Sequence, residues 1–101
     1  MLAEFSVIPL GKDESVSSLV ARAVEIVHKS GLVYRVNPMG TVIEGDWCEV
    51  MDLIKKCHDE IRKEAKRVIT SITIDDRDIS VPRIDNKIKS LEDKIAHKLR
   101  T

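Results

Sequence analysis

Residues 2–9, Leu-Ala-Glu-Phe-Ser-Val-Ile-Pro, alternate along an extended chain, with Ala3, Phe5 and Val7 on one side and Glu4, Ser6 and Ile8 on the other. This alternation predicts a first strand with one face turned to a core. Gly11 and Asp13 mark a turn. Val16, Leu19, Val20, Ala23, Ile26 and Val27 then recur at helical spacing until Gly31 supplies a stop, so a first helix is expected over about residues 15–30. Residues 32–37 and 40–45 are short β-rich runs separated by Pro38 and Met39, the pattern of a hairpin. Asp46 begins a second helix as its cap, and Glu49 three residues later completes a capping box. Trp47, Val50, Met51, Ile54, Cys57, His58 and Ile61 form one face of that helix, and on this spacing Trp47 is expected to anchor it in the core. Acidic residues gather in its first turn, while Arg62, Lys63, Lys66 and Arg67 gather at its end, as the helix dipole favours. Residues 68–75 are dense in Ile, Val and Thr and predict a fourth strand, and Asp76, Arg77 and Asp78 open a polar loop.

The order is βαββαβ with a tail. Strands joined by two crossover helices fold most simply as an α+β, ferredoxin-like domain: a four-stranded antiparallel sheet, both helices on one face, the other face open. Residues 1–101 supply material for one such domain. Beyond a linker at residues 78–83, Ile84, Ile88, Leu91, Ile95 and Leu99 step by four, three, four and four along a charged C-terminal helix. A stripe that narrow fits packing on a partner or on the sheet edge.

Charge changes the picture mainly by exclusion. Seventeen basic and seventeen acidic residues cancel, and Phe5, Tyr34 and Trp47 are the only aromatic residues. Nucleic-acid binding needs a basic field, and reading single strands on this fold needs several exposed rings, so neither DNA nor RNA is expected as a partner. No apolar run approaches the roughly 20 residues of a membrane span, and Met1 leads directly into the first strand, so a cytoplasmic location is expected. Cys48 and Cys57 turn to opposite faces of one helix, about 900° apart in rotation, which fits a reduced pair. His28, His58 and His97 are scattered one per helical segment. No nucleophile, base and orienting acid occur at a recognisable spacing, and no glycine-rich phosphate loop or metal-ligand spacing is present. No catalytic residues and no cofactor are therefore expected. Asp75, Asp76 and Asp78 around Arg77 read as a turn with a local ion pair.

Where chemistry could sit follows from the same alternation. With Ala3, Phe5 and Val7 facing the helices, Glu4 and Ser6 lie on the open sheet face, joined by Ser71, Thr73 and Asp75 of the last strand. That polar face is either a solvated outer surface or the wall of a pocket closed by another subunit. Gly40 and Gly45 frame a short strand where backbone could approach a ligand, or else serve two turns.

Several segments carry a family resemblance: Pro9-Leu10-Gly11, Ser15 to Ala21, Gly31-Leu32-Val33-Tyr34, Met39-Gly40-Thr41-Val42-Ile43-Glu44-Gly45, Glu49-Val50-Met51, and Arg67-Val68 leading to Asp75-Asp76-Arg77. In this order, over nearly the whole chain, the sequence resembles the thiamine-binding (YkoF-like) family of small ferredoxin-fold proteins. The resemblance implies a domain that forms homodimers or homotetramers and binds thiamine or its hydroxymethylpyrimidine part without transforming it. Thiamine carries a fixed thiazolium charge and an aminopyrimidine, so a site needs carboxylate, hydroxyl or amide partners beside flat or soft apolar surface. Glu4, Ser6, Thr41, Glu44, Ser71 and Thr73 are the candidates for the first set, and Tyr34, Met39 or Trp47 for the second. The alternative is a regulatory or structural oligomer binding another metabolite or an anion near Arg35 and Arg77.

Overall fold

The computed structural model describes residues 1–11, 16–78 and 82–101. Asp13 of the expected turn, Ser15 at the head of the first helix and residues 79–81 of the expected linker lie outside them. The chain runs through β1 (Leu2–Leu10), α1 (Val16–Lys29), β2 (Val33–Asn37), β3 (Gly40–Glu44), α2 (Trp47–Arg62), β4 (Arg67–Asp75) and α3 (Ile84–Ile95). The strands lie in the order β2-β3-β1-β4, and every pairing is antiparallel. This is the ferredoxin-like α+β arrangement expected from the element order.

Burial follows the alternation of β1. Ala3, Phe5 and Val7 pack with Ile43 of β3, with Leu19, Ala23 and Val27 of α1, and with Val50, Leu53, Ile54, Cys57 and Ile61 of α2. Both helices therefore cover one face of the sheet. Leu53 broadens the core stripe of α2 beyond the expected residues. Across the helix pair, Arg22 reaches Glu60 at 2.6 Å and Glu64 at 2.7 Å. The Cys57 thiol donates to the Ala23 carbonyl at 3.5 Å.

Local chemistry sets the element ends. Gly31 takes a left-handed backbone, φ 79°, directly after α1, where a side chain would be strained. The Asp46 carboxylate accepts from the Glu49 amide at 2.8 Å and the Glu49 carboxylate from the Asp46 amide at 3.1 Å, which is the expected capping box. The β2–β3 connection, Asn37-Pro38-Met39-Gly40, has Asn, Pro and Gly at the positions a type I turn favours, and neither central residue has a positive φ. Gly40 is required for a further reason: a Cβ there would stand 2.9 Å from the Phe5 carbonyl oxygen of β1.

One expectation is corrected. Trp47 does not anchor α2 in the core but is 56% exposed. It occupies the first turn of the helix, and the fully buried stripe starts one turn later at Val50. Among the described residues, no helix is long and apolar enough to cross a membrane.

The N-terminus of α3 docks against the end of the sheet through charges. Arg83, the residue before its first turn, provides no side-chain cap of its own. Instead Glu44, from β3, accepts from the Arg83 amide at 2.8 Å and also from the Ile84 amide. Asp75, the last residue of β4, pairs with the Arg83 guanidinium and with Lys87 at 2.6 Å, and Arg35 of β2 pairs with Asp85. Past this anchorage the helix leaves the body. Ile84 is buried, Ile88 half-buried, and Leu91 and Ile95 are 53% and 49% exposed. The overall extents are 46 × 28 × 21 Å and the radius of gyration is 15.0 Å, against about 13 Å for a compact chain of this length.

Candidate functional site

Strand register places each expected site residue. Residues paired directly across an antiparallel ladder share a face, so the pairs Glu4 with Thr73 and Ser6 with Ser71 put these four side chains together on the open face. Ile8 opposite Ile69 extends this patch with apolar surface; both are exposed. The remaining expected residues separate from it. Thr41 pairs with Phe5 and is 7% exposed on the helix-covered face. Tyr34 pairs with Ile43 on that same face, and its hydroxyl lies 2.6 Å from Nδ1 of His28 at the end of α1. Met39 stands at the hairpin tip, 88% exposed. Glu44 shares the open face with Leu2, but its carboxylate is engaged in holding α3.

Three of the expected residues, Ser6, Met39 and Thr41, meet instead at a groove of about 350 Å³. Its floor is β1 from Phe5 to Ile8, one wall is α1 at Val20, Ala23 and Val24, and the other is the hairpin at Val36, Asn37 and Pro38. The groove exists because β1 is longer than its neighbour. Pairing with β3 spans only Leu2 to Phe5, whereas pairing with β4 runs from Leu2 to Leu10. Beyond Phe5 no strand among the described residues pairs with the β3-side edge of β1. The Met1 carbonyl accepts from the Gly45 amide, so by alternation the odd residues turn their main-chain groups to this side. Val7 is then the first with no strand opposite, and Pro9, which has no N–H to satisfy, suits a free edge.

Volume and lining match a small-molecule site, since such pockets commonly measure about 300–1,000 Å³ and are mostly apolar with a few convergent polar groups. Among the described residues, Ser6, Asn37 and Thr41 are the polar side chains here. Val20, Ala23 and Val24 of α1 and Val36, Asn37 and Pro38 of the hairpin were not foreseen. The signal for them was a nine-residue strand beside a five-residue one, with a proline near the end of the longer.

Reactive groups are sparse. Burial pushes the Cys57 thiol up to about 11, well away from a nucleophile's range, and Cys48 is exposed. A thiol reagent at about pH 8 is expected to label Cys48 alone in the native protein and Cys57 only in denaturant. Mass spectrometry showing both labelled at equal rates without denaturant would contradict the burial. Among the described residues, no group of three or more His, Cys, Asp or Glu side chains is placed to hold a metal ion.

Topology, layering and groove together define a small α+β protein of the ferredoxin-like class, with a pocket at the free edge of its first strand. Comparison with known proteins then gives the family. Residues 3–92 match the thiamine-binding protein family, and the chain belongs to it. The UPF0045 protein MJ1052 of Methanocaldococcus jannaschii is 40% identical over 91 residues, which is 90% of this chain and 91% of that protein. Its crystal structure superposes with a TM-score of 0.81, covering 89% of this chain and 93% of that one. A UPF0045 protein of Mycobacterium tuberculosis is 37% identical over 91% of each chain. The structure of Thermotoga maritima TM0486, whose proposed role is in thiamine biosynthesis or salvage, is similar with a TM-score of 0.78 at 27% identity, covering 89% of this chain and 96% of that one.

Proposed function

We propose that the protein is a non-catalytic binding protein for thiamine or its hydroxymethylpyrimidine part, built as one domain over residues 1–101 and acting as a cytoplasmic homo-oligomer. The observation that carries this reading is the groove between α1, the β1 edge and the hairpin, in a chain matching the thiamine-binding family over residues 3–92. It also absorbs Ser6, Met39 and Thr41 from the expected ligand set. Glu4, Ser71 and Thr73 lie on the open face nearby and become part of an enclosed site only when a second copy covers that face. Two free cysteines support a reducing compartment. Self-association is supported by the exposed Leu91 and Ile95 of α3 and by the exposed Ile8–Ile69 pair of the sheet.

Isothermal titration with thiamine, its phosphates and hydroxymethylpyrimidine tests the reading directly. At least one is expected to bind with a dissociation constant of about a micromolar or below, some 8 kcal/mol. Absence of heat from all of them at millimolar ligand would remove the proposal. A second reading, an anion held at Arg77, draws support from a cavity of about 390 Å³ beside α3 lined by Arg77, Arg83 and Lys87. Two of those three cations are already paired with Asp75, and Arg35 is paired with Asp85. The same titration with inorganic phosphate decides it.

A further inference from the structure

We infer that the cavity beside α3 is a site for the phosphate group of a small phosphate monoester, and that a bound phosphate fastens α3 to the end of the sheet. The inference builds on the second reading above and owes nothing to the groove, which lies toward the other end of β1: Leu2 meets Glu44 and Asp75, the anchors of α3, whereas the groove begins at Phe5. Charge is the first observation. Arg77, Arg83 and Lys87 line the cavity of about 390 Å³, and among the described residues no acidic one does. Residues 79–81 are Ile, Ser and Val and bring no charge to offset them. The local ion pair expected of Arg77 is not formed. Asp75 turns instead to Arg83 and Lys87, Asp76 and Asp78 are exposed and do not line the cavity, and no described residue bonds to the Arg77 side chain. Its guanidinium fork is left free, in the geometry that suits two phosphate oxygens.

Arrangement is the second. Arg83, Asn86, Lys87 and Ser90 recur at steps of three, one and three, which sets them on one face of α3, and Arg77 lines the same cavity from the segment that follows β4. The main-chain amides at the head of the helix are not the donors, because Glu44 accepts those of Arg83 and Ile84. The donors are side chains: the fork of Arg77, the Lys87 ammonium with one of its three N–H groups spent on Asp75, the Asn86 amide and the Ser90 hydroxyl. A phosphate monoester carries about −1.5 to −2 charges near pH 7 and three acceptor oxygens, so it can engage Arg77 and Lys87 together. The cavity exceeds what a phosphate group fills, and Pro82 and Leu91 offer apolar surface to the carbon body of an ester. An anion held between Arg77 and Lys87 joins the segment after β4 to the helix. Since Ile84 is the one buried residue of α3, such a tie adds much to what holds it. A ligand that binds only the docked helix raises the docked-to-released ratio by one plus its concentration over its dissociation constant.

The test titrates the protein with inorganic phosphate and with phenyl phosphate by calorimetry, and follows hydrogen exchange of residues 84–95 with and without each, chloride replacing phosphate at equal ionic strength. Both are expected to bind with dissociation constants of about a millimolar or below, the ester more tightly. At a concentration about tenfold above the dissociation constant, exchange in α3 is expected to slow by roughly tenfold, with the core amides near Val50 and Ile43 unchanged. Arg77→Gln is expected to weaken binding at least about tenfold while leaving exchange in the absence of phosphate as in the parent, because Arg77 bonds to no described residue. Lys89→Gln removes the same charge from an exposed position of α3 outside the cavity and is expected to change neither. Undiminished binding by Arg77→Gln, or an equal loss in Lys89→Gln, overturns the site. Phosphate bound through Arg77 with no slowing in α3 overturns the fastening and leaves the anion reading standing, and no heat from either compound removes both. None of these outcomes touches the titration with thiamine, which judges the groove alone.

Discussion

Glu44→Ala is expected to release α3 from the sheet while the rest of the domain stays folded. One carboxylate oxygen of Glu44 accepts the amides of Arg83 and Ile84, at the positive end of the helix dipole. Bonds of this charge-assisted kind contribute about 1.5–3 kcal/mol. The helix is 12 residues long, a length at which an isolated helix is marginal in water, only Ile84 of it is buried, and its other anchors are the ion pairs of Arg83, Asp85 and Lys87. Hydrogen exchange of residues 84–95 should accelerate by roughly tenfold to a hundredfold, with exchange of the core amides near Val50 and Ile43 unchanged. Unaltered protection in α3 would show that the anchorage lies elsewhere. Acid should produce the same release. Hydrogen bonding from Lys87, then from Arg83, holds the Asp75 carboxyl below its ordinary value of 3.8. Its stabilising contribution is therefore fully present above that ordinary value and fades as pH falls through the lower value of the folded state.

Leu91→Glu is expected to convert an oligomer into folded monomers. Leu91 is 53% exposed and Ile95 49%, on a helix that projects from the body. Burying such a side chain against a partner contributes about 1.5–3 kcal/mol, and a glutamate placed there must be desolvated instead. Because Leu91 makes no part of the protomer's core, the substituted chain should keep its circular dichroism and melting behaviour at low concentration. Light scattering checks both halves: a mass above 11.4 kDa for the parent at tens of micromolar, and the monomer mass for the variant. A monomeric parent would sink the idea.

The elements were legible where their signals are local. Alternation in β1 placed Ala3, Phe5 and Val7 inward and Glu4 and Ser6 outward, and the Asp46–Glu49 box marked the start of α2 within a residue. Strand parity in the hairpin was harder. Val42 and Ile43 are both apolar, so the pattern of β3 leaves its inner face ambiguous, and only pairing with β1 turns Thr41 and Ile43 inward. That is why Thr41 and Tyr34 separated from Glu4 and Ser71. The role of Glu44 was illegible for a different reason: the amides that it caps lie in Arg83 and Ile84, far along the chain, and no local motif connects them. Trp47 shows the limit of periodicity, which assigns a residue to a helix face but does not tell where along the helix the packed surface begins.

The central position of β1 also bears on how the chain acquires its shape. β1 leads the chain, yet its longest partner is β4, and Leu2 meets Asp75 across most of the sequence. During synthesis β1 must wait, both edges unpaired, first for the β2–β3 hairpin and then for β4. Closing so long a loop defers the reward for ordering the strand, which places the domain among intermediate rather than fast folders. While it waits, α1 and later α2 are available to cover Phe5 and Val7. A chain stopped before β4 would keep one long edge of its first strand exposed, the kind of edge along which unfinished β-proteins associate.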